Sequence, residues 1–146
     1  MSIYSGGRMA VPNIWRKIPE YYNLIGKRCP ECNELYFPQR DVCLKCGAFN
    51  LEDFKFIGKG EVVTYTIIRT TNTNTEEENL EIPARNIPYI LAIVKLEQGP
   101  MLTCQIVDLP PEDIEIGQQV EVVFRKIMER GKKGVIQYGY KFRRAK

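Results

Sequence analysis

The sequence predicts a mainly β protein, in which a small zinc ribbon is followed by a five-stranded OB-fold barrel and preceded by short N-terminal helices. Three observations predict it. Two matched pairs, Cys29-Pro-Glu-Cys32 and Cys43-Leu-Lys-Cys46, have the spacing that brings four thiolates onto one tetrahedral ion. From Phe56 onward, β-branched runs alternate with glycine and proline at the spacing of short strands. Ahead of both, residues 11–25 carry apolar side chains at three- and four-residue intervals. The expected division is a helical arm over 1–26, a rubredoxin-like ribbon over 27–50 and a barrel over 51–146.

In the arm, Pro12 and Pro19 suit a first helical turn and would break a helix interior, so two short helices are expected, joined near Pro19 and ending at Gly26. Trp15, Ile18, Tyr22 and Ile25 form one apolar stripe. A helical pair this short is not stable alone, so the stripe must be buried on the chain's own ribbon or barrel or on a partner. Trp15, Ile18 and Tyr22 are the candidate docking residues.

In the ribbon, each CxxC turn directs backbone N–H groups at sulfur and calls for a positive φ just after its second cysteine. Asn33 and Gly47 stand there, two residue types that tolerate it. Cys29, Cys32, Cys43 and Cys46 are the candidate ligands of one structural zinc ion. Four thiolates leave a net negative site, and Lys27, Arg28, Arg40 and Lys45 lie close in sequence. A four-cysteine site is closed, whereas a catalytic zinc keeps a position open for water. A disulfide or redox pair is the competing reading; two close pairs without a secretory signal favour metal. Iron takes the same ligand spacing, and zinc is the commoner occupant.

In the barrel, strands are expected at 60–70, 88–97, 100–107, 119–127 and 135–142. Val120, Val122 and Phe124 share one face, as do Ile136, Tyr138, Tyr140 and Phe142, which implies half-buried strands. Glu97-Gln-Gly-Pro100 reads as a hairpin turn, and 108–117 as a proline-bearing crossover too broken for much helix. The loops that an OB barrel uses for binding would be 71–87, long and acidic, and 129–134, a basic turn carrying Arg130, Lys132 and Lys133. Residues 125–146 hold nine Lys or Arg against one acid, although the whole chain is only +3. Cys104, inside a strand, reads as a small core hydrophobe.

Composition excludes several classes of activity. The chain has no histidine, which removes imidazole triads and histidine metal sites, and no glycine-rich phosphate loop joins a strand to a helix. No apolar run reaches the length of a membrane span, so a cytoplasmic protein without membrane insertion is expected. A basic OB barrel beside a zinc ribbon ordinarily points to nucleic acid, with Tyr65, Tyr89, Tyr138 and Tyr140 as stacking platforms. The modest net charge and acidic first loop lower that reading, which stays as the alternative.

The chain also resembles the acyl-CoA-associated proteins in which a helical arm precedes a rubredoxin-like zinc ribbon and a C-terminal OB-fold. The resemblance rests on the order of four segments: 15–26 leading into Arg28-Cys-Pro-Glu-Cys32, Tyr36-Phe-Pro-Gln-Arg40, 58–66, and 88–97 followed by Gly99-Pro100. It implies a non-catalytic companion of thiolase-fold enzymes. Similar archaeal proteins bridge an acetoacetyl-CoA thiolase and 3-hydroxy-3-methylglutaryl-CoA synthase at the entrance to mevalonate and isoprenoid synthesis. On that resemblance the partners expected are these two enzymes, with a CoA thioester possible as ligand and Arg130, Lys132 and Lys133 near its phosphates.

Overall fold

The computed structural model describes residues 11–69, 88–129 and 136–146. Two single-turn helices open it, α1 (Val11–Arg16) and α2 (Ile18–Asn23). They part at Lys17, two residues before the expected joint, and Pro19 occupies the first turn of α2, where its missing N–H costs nothing. The arm ends earlier than expected. Leu24 takes the left-handed conformation (φ 49°, ψ 46°), and its N–H closes the helix on the Pro19 carbonyl. Ile25 therefore leaves the helical stripe and begins strand β1 (Ile25–Arg28). Gly26 is required for packing and not as a helix stop: a Cβ there would collide with the Tyr36 carbonyl and with the Phe56 ring.

β1 is the centre of a three-stranded antiparallel sheet, between β2 (Leu35–Tyr36) and β3 (Glu52–Lys55). The ribbon's sheet thus runs five residues past the boundary expected at 50/51, because Ile25 to Arg28 pair with Lys55 to Glu52. Ion pairs lie along this register, Lys27 with Asp53 at 2.6 Å and Arg28 with Glu52 at 2.8 Å.

The rest closes into a barrel of β4 (Lys59–Ile68), β5 (Tyr89–Leu96), β6 (Met101–Ile106), β7 (Gln119–Glu129) and β8 (Ile136–Arg144), in the order β4-β5-β6-β8-β7. β7 returns to β4, and β6 meets β8 in parallel at Ile106 and Phe142. The five expected strands are present. Gly99 (φ 119°) turns the β5–β6 hairpin, and the crossover holds one 3-10 turn, Pro111–Asp113. Of the two expected binding loops, 71–87 lies outside the described residues, as does 129–134 apart from Glu129, which ends β7.

Alternation predicts which side each strand residue faces but not how far the barrel extends along it. On β7 the face that buries Val120 leaves Val122 half-buried and Phe124 49% exposed. On β8 the face that buries Phe142 leaves Tyr140 half-buried and exposes Tyr138 and Ile136. Pairing with β4 stops at Glu121 and pairing with β6 is confined to Phe142, so both strands run beyond the closed barrel as a two-stranded extension. The half-buried strands expected from alternation are therefore found at the barrel end, and the burial of that face fades along the extension.

One core joins all three segments. Leu24 from the arm's end, Phe37 from the ribbon and Phe56 from the link pack with Val62, Ile90, Val94, Leu96, Val120 and Phe142 of the barrel. Cys104 is in this cluster, its thiol pushed up to about 12 by burial, as a core residue and not a nucleophile. Glu20 of α2 is the buried carboxylate; the Gln39 N–H donates to it, and Lys17 stands 3.9 Å away. Burial raises its pKa from 4.5, against smaller lowering effects of Lys17 and Gln39.

Two outcomes follow from this packing. Gly26→Ala should cost about 1–3 kcal/mol in chemical denaturation, because the new methyl group meets main chain as well as a ring. For Glu20 the folded pKa lies above the unfolded one, so its ionised form destabilises the fold at neutral pH and the penalty fades as pH falls through the folded value. Glu20→Gln keeps an acceptor for Gln39; it should melt higher than the parent at pH 7, with the gap closing as pH approaches 4.5.

Candidate metal centre and exposed apolar faces

The two cysteine turns are built alike. Asn33 N–H donates to the Cys29 carbonyl and Gly47 N–H to the Cys43 carbonyl, both at 3.0 Å. Cys29 N–H bonds to Glu34 O and Cys43 N–H to Ala48 O, both at 2.9 Å, closing each knuckle. Asn33 (φ 57°) and Gly47 (φ 75°) take the positive φ that the spacing calls for. Backbone N–H groups then reach the sulfurs, from Glu34 to Cys32, from Lys45 and Cys46 to Cys43, and from Ala48 to Cys46.

These turns bring the four Sγ atoms within 4.8 Å of one another. Cys29 to Cys46 and Cys32 to Cys43 are each 3.5 Å. A tetrahedral ion with bonds of about 2.3 Å requires sulfur separations of about 3.8 Å, so the donor set fits a four-coordinate structural metal. The structure brings together the four cysteines that the sequence offers as ligands. Sequence reasoning missed Tyr36, whose hydroxyl donates to Cys43 Sγ at 3.3 Å and accepts from Leu44 N–H at 3.0 Å. That hydroxyl is the main reason the Cys43 thiol is pulled down to about 6, with the backbone N–H groups next; burial opposes both. Only pairing across the sheet brings Tyr36 there, so cysteine spacing alone gave no signal for it.

The expected cations are placed differently. Lys45 pairs with Glu34 at 3.1 Å, and its pKa is raised first by that contact, with the thiolates of Cys32 and Cys43 adding to it. Lys27 and Arg28 are engaged by Asp53 and Glu52, so their charge is shared with carboxylates.

The arm's candidate residues separate. Trp15 is 65% exposed, Ile18 is half-buried, and Tyr22 sets its ring edge-on to Phe124, centroids 4.9 Å apart. Phe124 in turn stacks on Tyr138 at 5.5 Å. Beside Tyr22 and Phe124, a groove of about 180 Å³ is lined by residues that include Leu24, Lys55, Ile57 and Val122. A second apolar face lies on the Cys43 knuckle, where Leu44 is 71% and Phe49 69% exposed. Arg130, Lys132 and Lys133 lie outside the described residues. Among the described residues, no other group of three potential metal ligands is brought together, and no helix is long and apolar enough to cross a membrane.

Comparison with known proteins agrees with this architecture. Residues 16–52 match the family described as ChsH2, rubredoxin-like zinc ribbon domain, and residues 56–125 the one described as ChsH2, C-terminal OB-fold domain. A DUF35 domain-containing scaffold protein of Methanocaldococcus jannaschii is 47% identical over 130 residues, which cover 88% of this chain and 86% of the relative. The chain belongs to the DUF35 family. A second DUF35 domain-containing scaffold protein, from Pyrococcus furiosus, is 45% identical over 138 residues, covering 94% and 95% of the two chains. Among solved structures, one described as an Ltp2-ChsH2(DUF35) aldolase superposes with a TM-score of 0.68 at 26% identity, covering 90% of this chain and 92% of that one. The resemblance to helical-arm, ribbon and OB-fold proteins is therefore confirmed at the level of family and fold.

Cys29 is fully buried and tied into the knuckle by its own N–H and carbonyl. Cys29→Ser should reduce zinc from one ion per chain to background in elemental analysis and broaden the ribbon's amide signals. Full retention of metal by the variant would contradict the assignment.

Proposed function

We propose that this DUF35 protein is a non-catalytic scaffold that bridges an acetoacetyl-CoA thiolase to 3-hydroxy-3-methylglutaryl-CoA synthase, with one structural zinc ion holding its ribbon. The observation that carries the reading is a contrast within the molecule. The one cluster of metal ligands among the described residues is a closed four-thiolate set, while large apolar side chains stand exposed on both the ribbon and the barrel extension. Such faces belong to proteins that bind other proteins. The names of the archaeal relatives, which describe scaffold proteins, support the class, and the Ltp2-ChsH2(DUF35) structure pairs a DUF35 protein with another chain in its description.

The chemistry gives a bridge its purpose. Joining two acetyl-CoA molecules is energetically uphill, so acetoacetyl-CoA reverts unless a following step draws it forward. Holding the synthase beside the thiolase raises the local concentration of the intermediate and needs no new catalytic group. On this reading Trp15, Ile18 and Tyr22 belong to the docking surface. The basic stretch with Arg130, Lys132 and Lys133 meets the phosphates of CoA, for which guanidinium and ammonium groups are suited.

Affinity purification of the tagged protein from its native lysate at low salt tests the proposal, with mass spectrometry of the companions and the absorbance ratio at 260 and 280 nm. Stoichiometric thiolase and synthase, free of nucleic acid, are expected. Nuclease-sensitive material without either enzyme would replace the scaffold by a nucleic-acid-binding protein.

A further inference from the structure

Two adjacent residues at the end of β2 serve two different packing clusters. Tyr36 pairs across the sheet with Lys27, and its side chain packs with Cys29, Cys43 and Leu51. Phe37, the next residue, packs into the core shared with the barrel. Successive side chains of an extended chain point to opposite sides, so one turns to the cysteines and the other to the junction.

The Tyr36 hydroxyl is held from both sides. An N–H can only donate, so the hydroxyl oxygen accepts from Leu44 N–H at 3.0 Å. A metal-bound sulfur carries no proton, so the hydroxyl hydrogen points at Cys43 Sγ, 3.3 Å away. Each link in such a chain polarises the next. Cys43 Sγ also takes the backbone N–H groups of Lys45 and Cys46, whereas Cys46 Sγ takes that of Ala48. Exposure runs the same way: Cys29 and Cys43 are buried, Cys32 is half-buried and Cys46 is exposed. Four thiolates on a divalent ion leave a net negative site, and Lys27, Arg28 and Lys45 share their charge with Asp53, Glu52 and Glu34. A hydroxyl fixed on the sulfur stabilises that charge without needing a counter-ion of its own.

We propose that the Tyr36 hydroxyl is a working part of the metal centre, anchoring the Cys43 sulfur as a ligand and leaving Cys46 as the ligand that yields first to a competing chelator or electrophile. The inference rests on the reading of the four cysteines as a metal site and deepens it. Groups that hydrogen-bond a ligand fix its orientation and charge, and removing one costs metal affinity although every ligand remains. Tyr36 is thus a positioning residue. Its bond from Leu44 N–H also fixes the knuckle on which the Leu44 side chain stands exposed, so order at the metal and order at that tip go together.

The experiment compares the zinc-loaded full-length parent with Tyr36→Phe, which keeps the ring and removes one oxygen. In competition with a chromophoric chelator the variant should hold zinc about tenfold more weakly or worse. With zinc in excess, its circular dichroism and melting temperature should match the parent's. Limited alkylation with iodoacetamide, read by peptide mass spectrometry, gives a readout that ring packing alone would not move. In the parent Cys46 should be labelled first and Cys43 late; in Tyr36→Phe, labelling of Cys43 should rise relative to Cys46. Either readout left at its parental value in the folded variant overturns the role of Tyr36 and leaves the metal site standing. A parent labelled first at Cys43 overturns the assigned order. A variant whose ribbon stays disordered with zinc in excess gives Tyr36 a packing role instead and overturns the proposal as well. A parent that takes up no metal removes the metal reading and this inference with it.

Discussion

The aromatic cluster centred on Phe37 and Tyr140 is the contact on which the rest of the structure depends. Phe37 leaves the ribbon after β2 and meets Phe56 at 5.8 Å and Tyr140 at 5.6 Å, both edge to face. Tyr140 continues to Phe142, which fills the barrel, and to Tyr21, which belongs to the arm. Rings at these distances and angles bury large apolar areas and gain from quadrupole alignment. A ribbon with a two-residue strand and a metal has little core of its own, and the pair of six-residue helices has less. Much of their order comes from being fastened to the barrel at this cluster.

Polar contacts hold the same junction from outside. Gln39 donates its side-chain N–H to the Ile25 carbonyl at 3.1 Å and its backbone N–H to Glu20, which ties the segment after Phe37 to the end of α2 and the start of β1. Gly26 lies between the Tyr36 carbonyl and the Phe56 ring with no room for a side chain. Metal centre and barrel are therefore mechanically linked through β1, whose first residues pack at the junction and whose last leads into Cys29. Four extended residues span about 13 Å, close enough for order at the metal to be felt at the junction.

How much of this was legible in the sequence varies with the physics of each part. The cysteine cluster was readable because a CxxC knuckle is a local object: its two thiols, its turn and its positive-φ residue all lie within six positions, so Cys29 to Asn33 specify their own geometry. Barrel strands were readable from alternation and from turn residues such as Gly99. Tyr36 was not, because its contact with Cys43 depends on sheet pairing. Nor was the exposure of Phe124 and Tyr138, since periodicity assigns a side chain to a face without saying where the neighbouring strand stops. The same limit applies to Ile25, which continues a helical spacing that Leu24 has already broken.

The residues that sequence patterns misplaced are the ones most informative about function. β7 and β8 carry aromatic rings past the last positions that pair with β4 and β6 and stack them on one another. Among the described residues the clustered thiols form one closed four-sulfur set, and burial pushes the remaining thiol, Cys104, up to about 12. What remains free is surface. On the proposed scaffold reading, docking faces need to stand on parts held in fixed relation to one another. The Phe37 junction supplies that fixed relation, because it packs ribbon, arm and barrel together, while the Cys43 knuckle keeps a small cluster of its own with Cys29 and Leu51.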